Sequence, residues 1–569
     1  MKVSVDKNEK TVTISDNGIG MTTDEVIENI GTIARSGTRQ FLEALSGDAA
    51  NDANLIGQFG VGFYSAFLVA HRVELTTRHA SAGAEGGVRW ISDGEGEYTI
   101  ESITREERGT TITLYLRDED KEFVEDFRLR GIISRYSDHI SLPIEMPSED
   151  KEKKGEWEAV NSGSALWSRP KNEVSEEDYH RFYQSLSYDT ETPLATLHNR
   201  VEGNLEYTSL FFIPKKAPFD LWDREQRHGI NLYVRRIFIM DDAKYLMPSY
   251  LRFVRGVVDA ADLPLNVSRE FLQNNKDIDR IRSASVKKIL SELSRLAEKE
   301  PETYAAFWKE FGKVLKEGVV EDHDNRTVLA DLMRFNSTRS GDTDQTESLA
   351  AYFKRMPMKQ KAIYYITAES HSAASTSPHL EIFRKNDIEV LLLSDPVDEW
   401  LVSSLNEYKD KPLKSDAKGA LDLEDLANPE DKKANEAKEK DLAGLTEKMQ
   451  SLLGDRVKSV RVSQRLTDSP ACLVADETDL GGNLERILQA MGQNAPDAKP
   501  IMEINPDHPL IRQLSPEHAQ LEDWSRVLFD QATLREGAPL PEPAAYVQRV
   551  SELLTKIALT SGCRSKRKN

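Results

Sequence analysis

The chain has 569 residues, with 75 Lys and Arg against 96 Asp and Glu, for a formal net charge of −21. At about 150 residues per domain this length implies three or four domains, and with 39% hydrophobic and 30% charged residues the chain is globular and not disordered. The acidity argues against a nucleic-acid-coating surface. The two cysteines, Cys472 and Cys563, exclude a disulfide framework or multi-cysteine zinc site and fit a reducing cytosol, and no apolar run approaches the ~18 residues of a membrane span.

The opening residues do not read as a signal peptide. Val3 and Val5, then Lys7-Asn8-Glu9, then Val12 and Ile14 read as a β-hairpin. Thr22 with Glu25 three residues on is a capping box that opens a helix through about Ile30. Helical spacing returns at 62–70, with Phe63, Phe67 and Val69. Strands are expected at 72–78, 87–92, 97–103 and 110–116, then a charged helix at 119–139, which together make an α+β domain. A charged linker covers 147–163. A second α/β region runs from 164 to about 410, with strands at 208–213 and 231–239 and helices near 269–298, 301–316 and 346–354. Residues 410–442 carry few large apolar side chains and read as a boundary or exposed connector, and 443–560 mix strands with helices. No metal-ligand spacing of histidines and no hydrolase nucleophile elbow occurs.

Four motifs carry the chemistry. Asp16-Asn-Gly-Ile-Gly20 closes the second hairpin strand. It is turn chemistry, or its carboxylate accepts from an exocyclic amine while the glycines admit a ligand. Gly57-Gln-Phe-Gly60-Val-Gly62 is a flexible loop or a phosphate cradle of glycine amides ahead of a helix. It is not a Walker A motif, because no Gly-Lys-Ser/Thr follows. Ile33-Ala-Arg-Ser-Gly-Thr38 and the polar loop 46–54 read as a surface loop or a glycine-hinged lid. Gly109-Thr110 opens a strand, and Thr110 either binds a base or satisfies the strand end.

In this order and combination, Asp16–Met21, Ile33–Thr38, Gly57–Phe63 and Gly109-Thr110 resemble the adenine, lid, phosphate and base motifs of the ninety-kilodalton heat-shock chaperones. Ile213-Pro-Lys-Lys-Ala-Pro-Phe219, Leu232-Tyr-Val-Arg-Arg-Ile237, Asp262-Leu-Pro-Leu-Asn-Val-Ser-Arg-Glu270 and Tyr364-Tyr-Ile-Thr367 resemble that family's middle domain, so the likeness covers essentially the whole chain. The short linker and the absence of an acidic terminal motif resemble the bacterial form. The resemblance implies a multidomain α+β / α/β architecture. A GHKL (Bergerat-type) ATP-binding α/β sandwich would occupy 1–146 and an α/β middle domain 164–428. A charged connector at 429–442 and a mixed C-terminal dimerisation domain at 443–563 would follow.

The resemblance further implies ATP and Mg²⁺ as cofactors. Asp16 would take the adenine amine, with Thr110 beside it through water. Gly20, Met21 and Asn29 would line the pocket, and Gly60, Val61, Gly62 and Phe63 would wrap the phosphates. Arg269 would reach the γ-phosphate with Gln273 nearby, a placement suited to phosphoryl transfer. The residues alone read Arg269 as a first-turn helix residue after a Ser268 cap.

The expected function is an ATP-regulated, cytoplasmic, homodimeric chaperone acting on unfolded or partly folded clients with co-chaperones, without nucleic acid or membrane. Val547, Val550, Leu553, Leu554 and Ile557 share one helical face, which packs on its own domain or, by the resemblance, forms the two-fold dimer contact. Leu484, Ile487, Leu488 and Met491 form a second stripe, read as core packing or as a client-touching helix. Trp524, Leu528 and Phe529 are expected to pack together in this region.

Members of that family open with a longer segment that carries a water-orienting glutamate and an Mg²⁺-holding asparagine. No residue here matches either, so the chain as given is expected to hydrolyse ATP poorly and to fold its first domain badly, with a misplaced start codon as the plain explanation. The alternatives are a nucleotide-independent holdase or inactive remnant and, in another class, a topoisomerase or mismatch-repair ATPase of the same fold.

Overall fold

The alternation at the start of the chain folds into a hairpin. β1 (Lys2–Asp6) and β2 (Thr11–Ser15) pair antiparallel from Lys2↔Ser15 to Asp6↔Thr11. Asp6 Oδ1 holds the turn by accepting from the Asn8 and Glu9 amides at 2.8 and 3.1 Å. The computed structural model describes the chain except residues 33–61, 151–154, 204, 223–228, 242, 244, 262, 264–274, 342, 420–428, 478, 494–497 and 566–569, and it gives backbone alone for 429–436 and 559–565. The chain divides into two units, residues 1–248 with 252–286 and residues 249–251 with 287–569.

In the first unit the hairpin joins β3 (Ala70–Arg78), β4 (Gly87–Ser92), β5 (Tyr98–Ile103), β6 (Gly109–Leu116), β7 (Glu145–Pro147) and β8 (Trp157–Ala159). The sheet order is β5-β4-β3-β6-β2-β1-β7-β8. Every pairing is antiparallel except β1 with β7. Period-two alternation gives the sheet one apolar and one polar face. Val12, Ile14, Ile112, Leu114, Val73 and Leu75 fall opposite one another across β2, β6 and β3. α1 (Thr23–Asn29) and the 3-10 turn Gly62–Leu68 join the cluster of Val73, Leu75, Val88 and Trp90. α2 (Asp126–Ser137) joins the cluster of Val3, Val12 and Leu116 through Leu129 and Ile133. On the other face Arg89 grips Glu74 at 2.8 and 2.9 Å and holds its carboxyl below the usual range.

The same unit carries a second sheet, order β12-β11-β13-β10-β9, made of β9 (Ala195–Val201), β10 (Tyr207–Ile213), β11 (Ile230–Val234), β12 (Ile237–Met240) and β13 (Arg255–Ala260). The segment read as one strand at 231–239 is thus a hairpin. Its turn residues Arg235 and Arg236 have φ of 49° and 66°, and Arg–Arg gives no turn signal. The Asp259 carboxylate supports the turn by accepting from the Arg236 amide at 3.1 and 3.2 Å. α3 (Glu176–Ser187) starts at a Ser175–Asp178 capping box and packs Tyr179 and Tyr183 with Trp167, Phe212 and Tyr233.

The second unit is built on α4 (Pro301–Glu321), which buries Phe307, Phe311 and Leu315. β14 (Asn336–Ser337), β15 (Ile363–Thr367), β16 (Val390–Leu393), β17 (Glu407–Tyr408) and β18 (Lys411–Ser415) form a sheet of order β14-β16-β15-β18-β17. β19 (Ser459–Val462), β20 (Ala471–Val474) and β21 (Ile501–Ile504) form another, with β21 central. Leu445 and Met449 of helix Pro429–Leu453 and Leu528 of helix Leu521–Arg535 join Met502 and Ile504 in one core, which Trp524 and Phe529 flank. The charged stretch 410–442 therefore contains β18 and, from Pro429, the first turns of a helix. No helix is long and apolar enough to cross a membrane among the described residues.

Candidate nucleotide site

The register of three strands assembles the site. Ser15 pairs with Thr111, so Asp16, the next residue, lies beside Thr110, and its amide donates to the Thr110 carbonyl at 2.9 Å. Thr110 in turn pairs with Thr77 of β3. Asp16, Thr110 and Thr77 thus line up across adjacent strands on the helix-covered face, beyond the last apolar side chains. Asp16 is exposed. Its Oδ1 accepts from the Gly18 amide at 2.8 Å and the Thr110 amide at 3.4 Å.

Two glycines are needed for this closeness. Gly109 has φ +107°, and a Cβ there would stand 2.2 Å from the Asp16 carbonyl oxygen. Gly20 has φ +69°, and a Cβ would stand 1.9 Å from the Arg78 carbonyl oxygen. The loop between Asp16 and Gly20 therefore lies flat on the end of β3, fastened by the Ala80 amide donating to the Ile19 carbonyl at 2.7 Å.

Met21 follows that loop. Its amide donates to Thr77 Oγ1 at 3.0 Å, and its side chain packs on the Val73–Trp90 cluster. The capping box forms as the sequence predicts, with Thr22 and Glu25 exchanging bonds at the start of α1. That helix ends at Asn29, whose Oδ1 is buried without a hydrogen-bond partner among the described residues. Tyr64 donates to the Ile30 carbonyl at 2.7 Å and ties the Gly62–Leu68 turn to this end of α1; burial raises the Tyr64 phenol. Among the described residues, a Cβ on Gly62 would meet nothing within 4 Å. Phe63 packs edge-on to Trp90 with centroids 5.7 Å apart. Beneath the site Arg105 donates to the Thr76 carbonyl at 2.9 Å and to Thr111 Oγ1 at 3.0 Å, and burial lowers its pKa.

The structure brings together Asp16, Gly20, Met21 and Thr110, and places Asn29, Gly62 and Phe63 along α1 and the adjoining turn. Gly60, Val61, the segment Ile33–Thr38, Arg269 and Gln273 lie outside the described residues. Sequence reasoning missed Thr77. Its signal was a polar residue in phase with Val73 and Leu75, at a position where the strand alternation expects an apolar side chain.

This arrangement suits a nucleotide. An exposed carboxylate and a hydroxyl stand side by side for a base, and among the described residues Asn29 Oδ1 is a buried acceptor without a partner and nothing crowds Gly62. Among the described residues no cluster of three His, Cys, Asp or Glu side chains could hold a metal ion.

These features define an ATP-binding domain, and residues 1–113 match the model of the histidine kinase-, DNA gyrase B- and HSP90-like ATPases. Residues 147–568 match the model of the Hsp90 protein, and the chain belongs to that family. It is 57% identical over 566 residues to the chaperone protein HtpG of Nitrosococcus oceani, covering 98% of this chain and 89% of the relative. It is 56% identical over 571 residues to that of Nitrosomonas europaea, again covering 98% and 89%. Against that of Alkalilimnicola ehrlichii it is 55% identical over 579 residues, covering 99% and 89%. The chain is accordingly an ATP-regulated molecular chaperone of an ATPase family that uses ATP with Mg²⁺. A chaperone of this family implies client proteins and dimerisation.

Proposed function

We propose that the site row Asp16–Thr110–Thr77 is the adenine end of the ATP site. The observation that carries it is the strand register, which puts a carboxylate and a hydroxyl together beside a glycine-flattened loop. Asp16 takes the exocyclic amine, with Thr110 beside it through water, while Met21 and Asn29 line the pocket. Gly60, Val61, Gly62 and Phe63 wrap the phosphates, and Arg269 with Gln273 meets the γ-phosphate and offsets the charge that develops there. Nucleotide binding then biases a closed clamp, and hydrolysis resets it.

The domain scheme follows the same reading: nucleotide domain to 146, middle domain 164–428, C-terminal domain 443–563. Two copies pair through helix Pro543–Ser565. Val547, Leu554 and Ile557 are exposed on it, while Leu553 turns into the core, so an apolar stripe is left for a second copy. The clamp works in the cytoplasm on partly folded clients, with co-chaperones.

Calorimetry with ATP on the full chain and on Asp16→Asn tests the base contact. Loss of measurable binding in the variant is expected, and wild-type affinity would refute it. Suppression of client aggregation measured with and without ATP separates the regulated clamp from a nucleotide-independent holdase, which would give the same result in both.

A further inference from the structure

Thr77 is fully buried at the end of β3. A threonine hydroxyl has one proton to give and two lone pairs to accept with, and three partners surround this one. The Gly109 carbonyl, 3.1 Å away, can only accept, so Thr77 donates to it. The Met21 amide, 3.0 Å away, can only donate, so Thr77 accepts from it. The third partner is Thr110 Oγ1 at 3.0 Å. With the Thr77 proton already committed to Gly109, Thr110 must be the donor in that contact.

The consequence falls on Thr110. Its only hydroxyl proton points back to Thr77, so it offers a ligand lone pairs alone. Beside it the Asp16 carboxylate, which accepts from the Gly18 and Thr110 amides, is also an acceptor. A base edge facing this pair must therefore donate. A 6-amino group does so, directly or through a water that both residues orient, whereas a 6-oxo group meets acceptors with an acceptor and leaves polar atoms unpaired beneath the bound base.

We propose that Thr77 is a specificity-determining residue: by fixing the Thr110 hydroxyl as an acceptor, it sets the preference of the site for 6-aminopurine over 6-oxopurine nucleotides. Thr77 is fully buried against Thr110, so it is a positioning residue that acts through Thr110. The proposal rests on the reading of Asp16 and Thr110 as the base end.

The test is calorimetry on the full chain with ATP and with inosine triphosphate, whose bases differ in the 6-amino and 6-oxo groups. Thr77→Val removes the hydroxyl at nearly constant volume and frees the Thr110 proton to turn toward the ligand. The ratio of the two affinities is expected to fall about tenfold in Thr77→Val and to stay within about threefold of wild type in Thr77→Ser. An unchanged ratio in Thr77→Val, or an equal fall in Thr77→Ser, would overturn the proposal. If Thr77→Val does not fold by circular dichroism, Thr110→Val reads the same hydroxyl from the other side. A lowered ratio there supports the proposal and an unchanged one overturns it. Asp16→Asn distinguishes this proposal from the base-end reading beneath it. Wild-type ATP affinity in that variant removes both together. Loss of ATP binding there, with an unchanged ratio in Thr77→Val, removes this proposal alone.

Discussion

Asp416 follows β18 in the second unit and is completely buried, and its amide donates to the Tyr365 carbonyl at 3.0 Å. Among the described residues neither carboxylate oxygen has a hydrogen-bonding partner from another residue. Burial pushes its pKa up from 3.8 to about 7, opposed by the positive charges of His379 and Arg465 and assisted by Glu536. An acid whose pKa is raised by folding contributes stability in full below its unfolded value and loses it as the pH rises through the folded one. Between 3.8 and about 7, at about 1.4 kcal/mol per pH unit, ionisation of Asp416 therefore removes about 4 kcal/mol from the second unit. Asp416→Asn mimics the protonated acid and escapes this cost. The variant should gain about 4 kcal/mol over wild type at pH 8 and only about 1.5 kcal/mol at pH 5, where little of the interval has been crossed. Hydrogen exchange of peptides covering β15 and β18, referred to intrinsic rates at each pH, measures the difference locally. A variant effect of equal size at both pH values would show that ionisation of Asp416 is not its source. His379 is buried with Nε2 2.9 Å from Glu536. Burial lowers its pKa, but Glu536 outweighs this and leaves it above 6.5. Its contribution has the same sign, present below 6.5 and lost as the pH rises, and it remains in both proteins.

Three further predictions concern other parts of the molecule. Lys316 is fully buried with Nζ 2.8 Å from both Asp395 and Asp398, so Lys316→Met should cost about 3–5 kcal/mol in urea denaturation. Adding Asp395→Asn and Asp398→Asn should restore most of it, and no recovery would show that packing, not charge, was lost. Gly109→Ala would force a Cβ against the Asp16 backbone, so ATP affinity should drop at least about tenfold with circular dichroism unchanged. Gly131 is exposed within α2, and a Cβ added there would meet nothing within 4 Å among the described residues, so Gly131→Ala should stabilise by about 0.5–1 kcal/mol in thermal denaturation.

Local chemistry was legible wherever neighbours in sequence are neighbours in space. The β1–β2 hairpin, the Thr22–Glu25 capping box and the Asp16–Gly20 loop depend on contacts a few residues apart, and each formed where the sequence put it. The Arg235–Arg236 turn did not show, because its support is the carboxylate of Asp259, a residue of another strand. The helix expected over 119–139 instead breaks into a 3-10 turn, Asp118–Val124, and α2. Extended backbone at Glu125, with φ −86° and ψ 119°, separates the two, a break that the charged composition does not signal.

The acidic multidomain character, the strand alternation, the caps, the glycine positions and, through the motifs, the family were all written in the order of residues. Which side chains meet was settled by folding. Thr77, Thr110 and Asp16 are dozens of residues apart, and antiparallel pairing brings them into one row. Asp416, His379, Arg465 and Glu536 likewise come from separate segments, and nothing in any one of them marks the cluster that folding assembles. The physical reason is the same in both places. A polar group acquires its proton position or its pKa from the partners and the burial that folding supplies, and those come from distant parts of the chain.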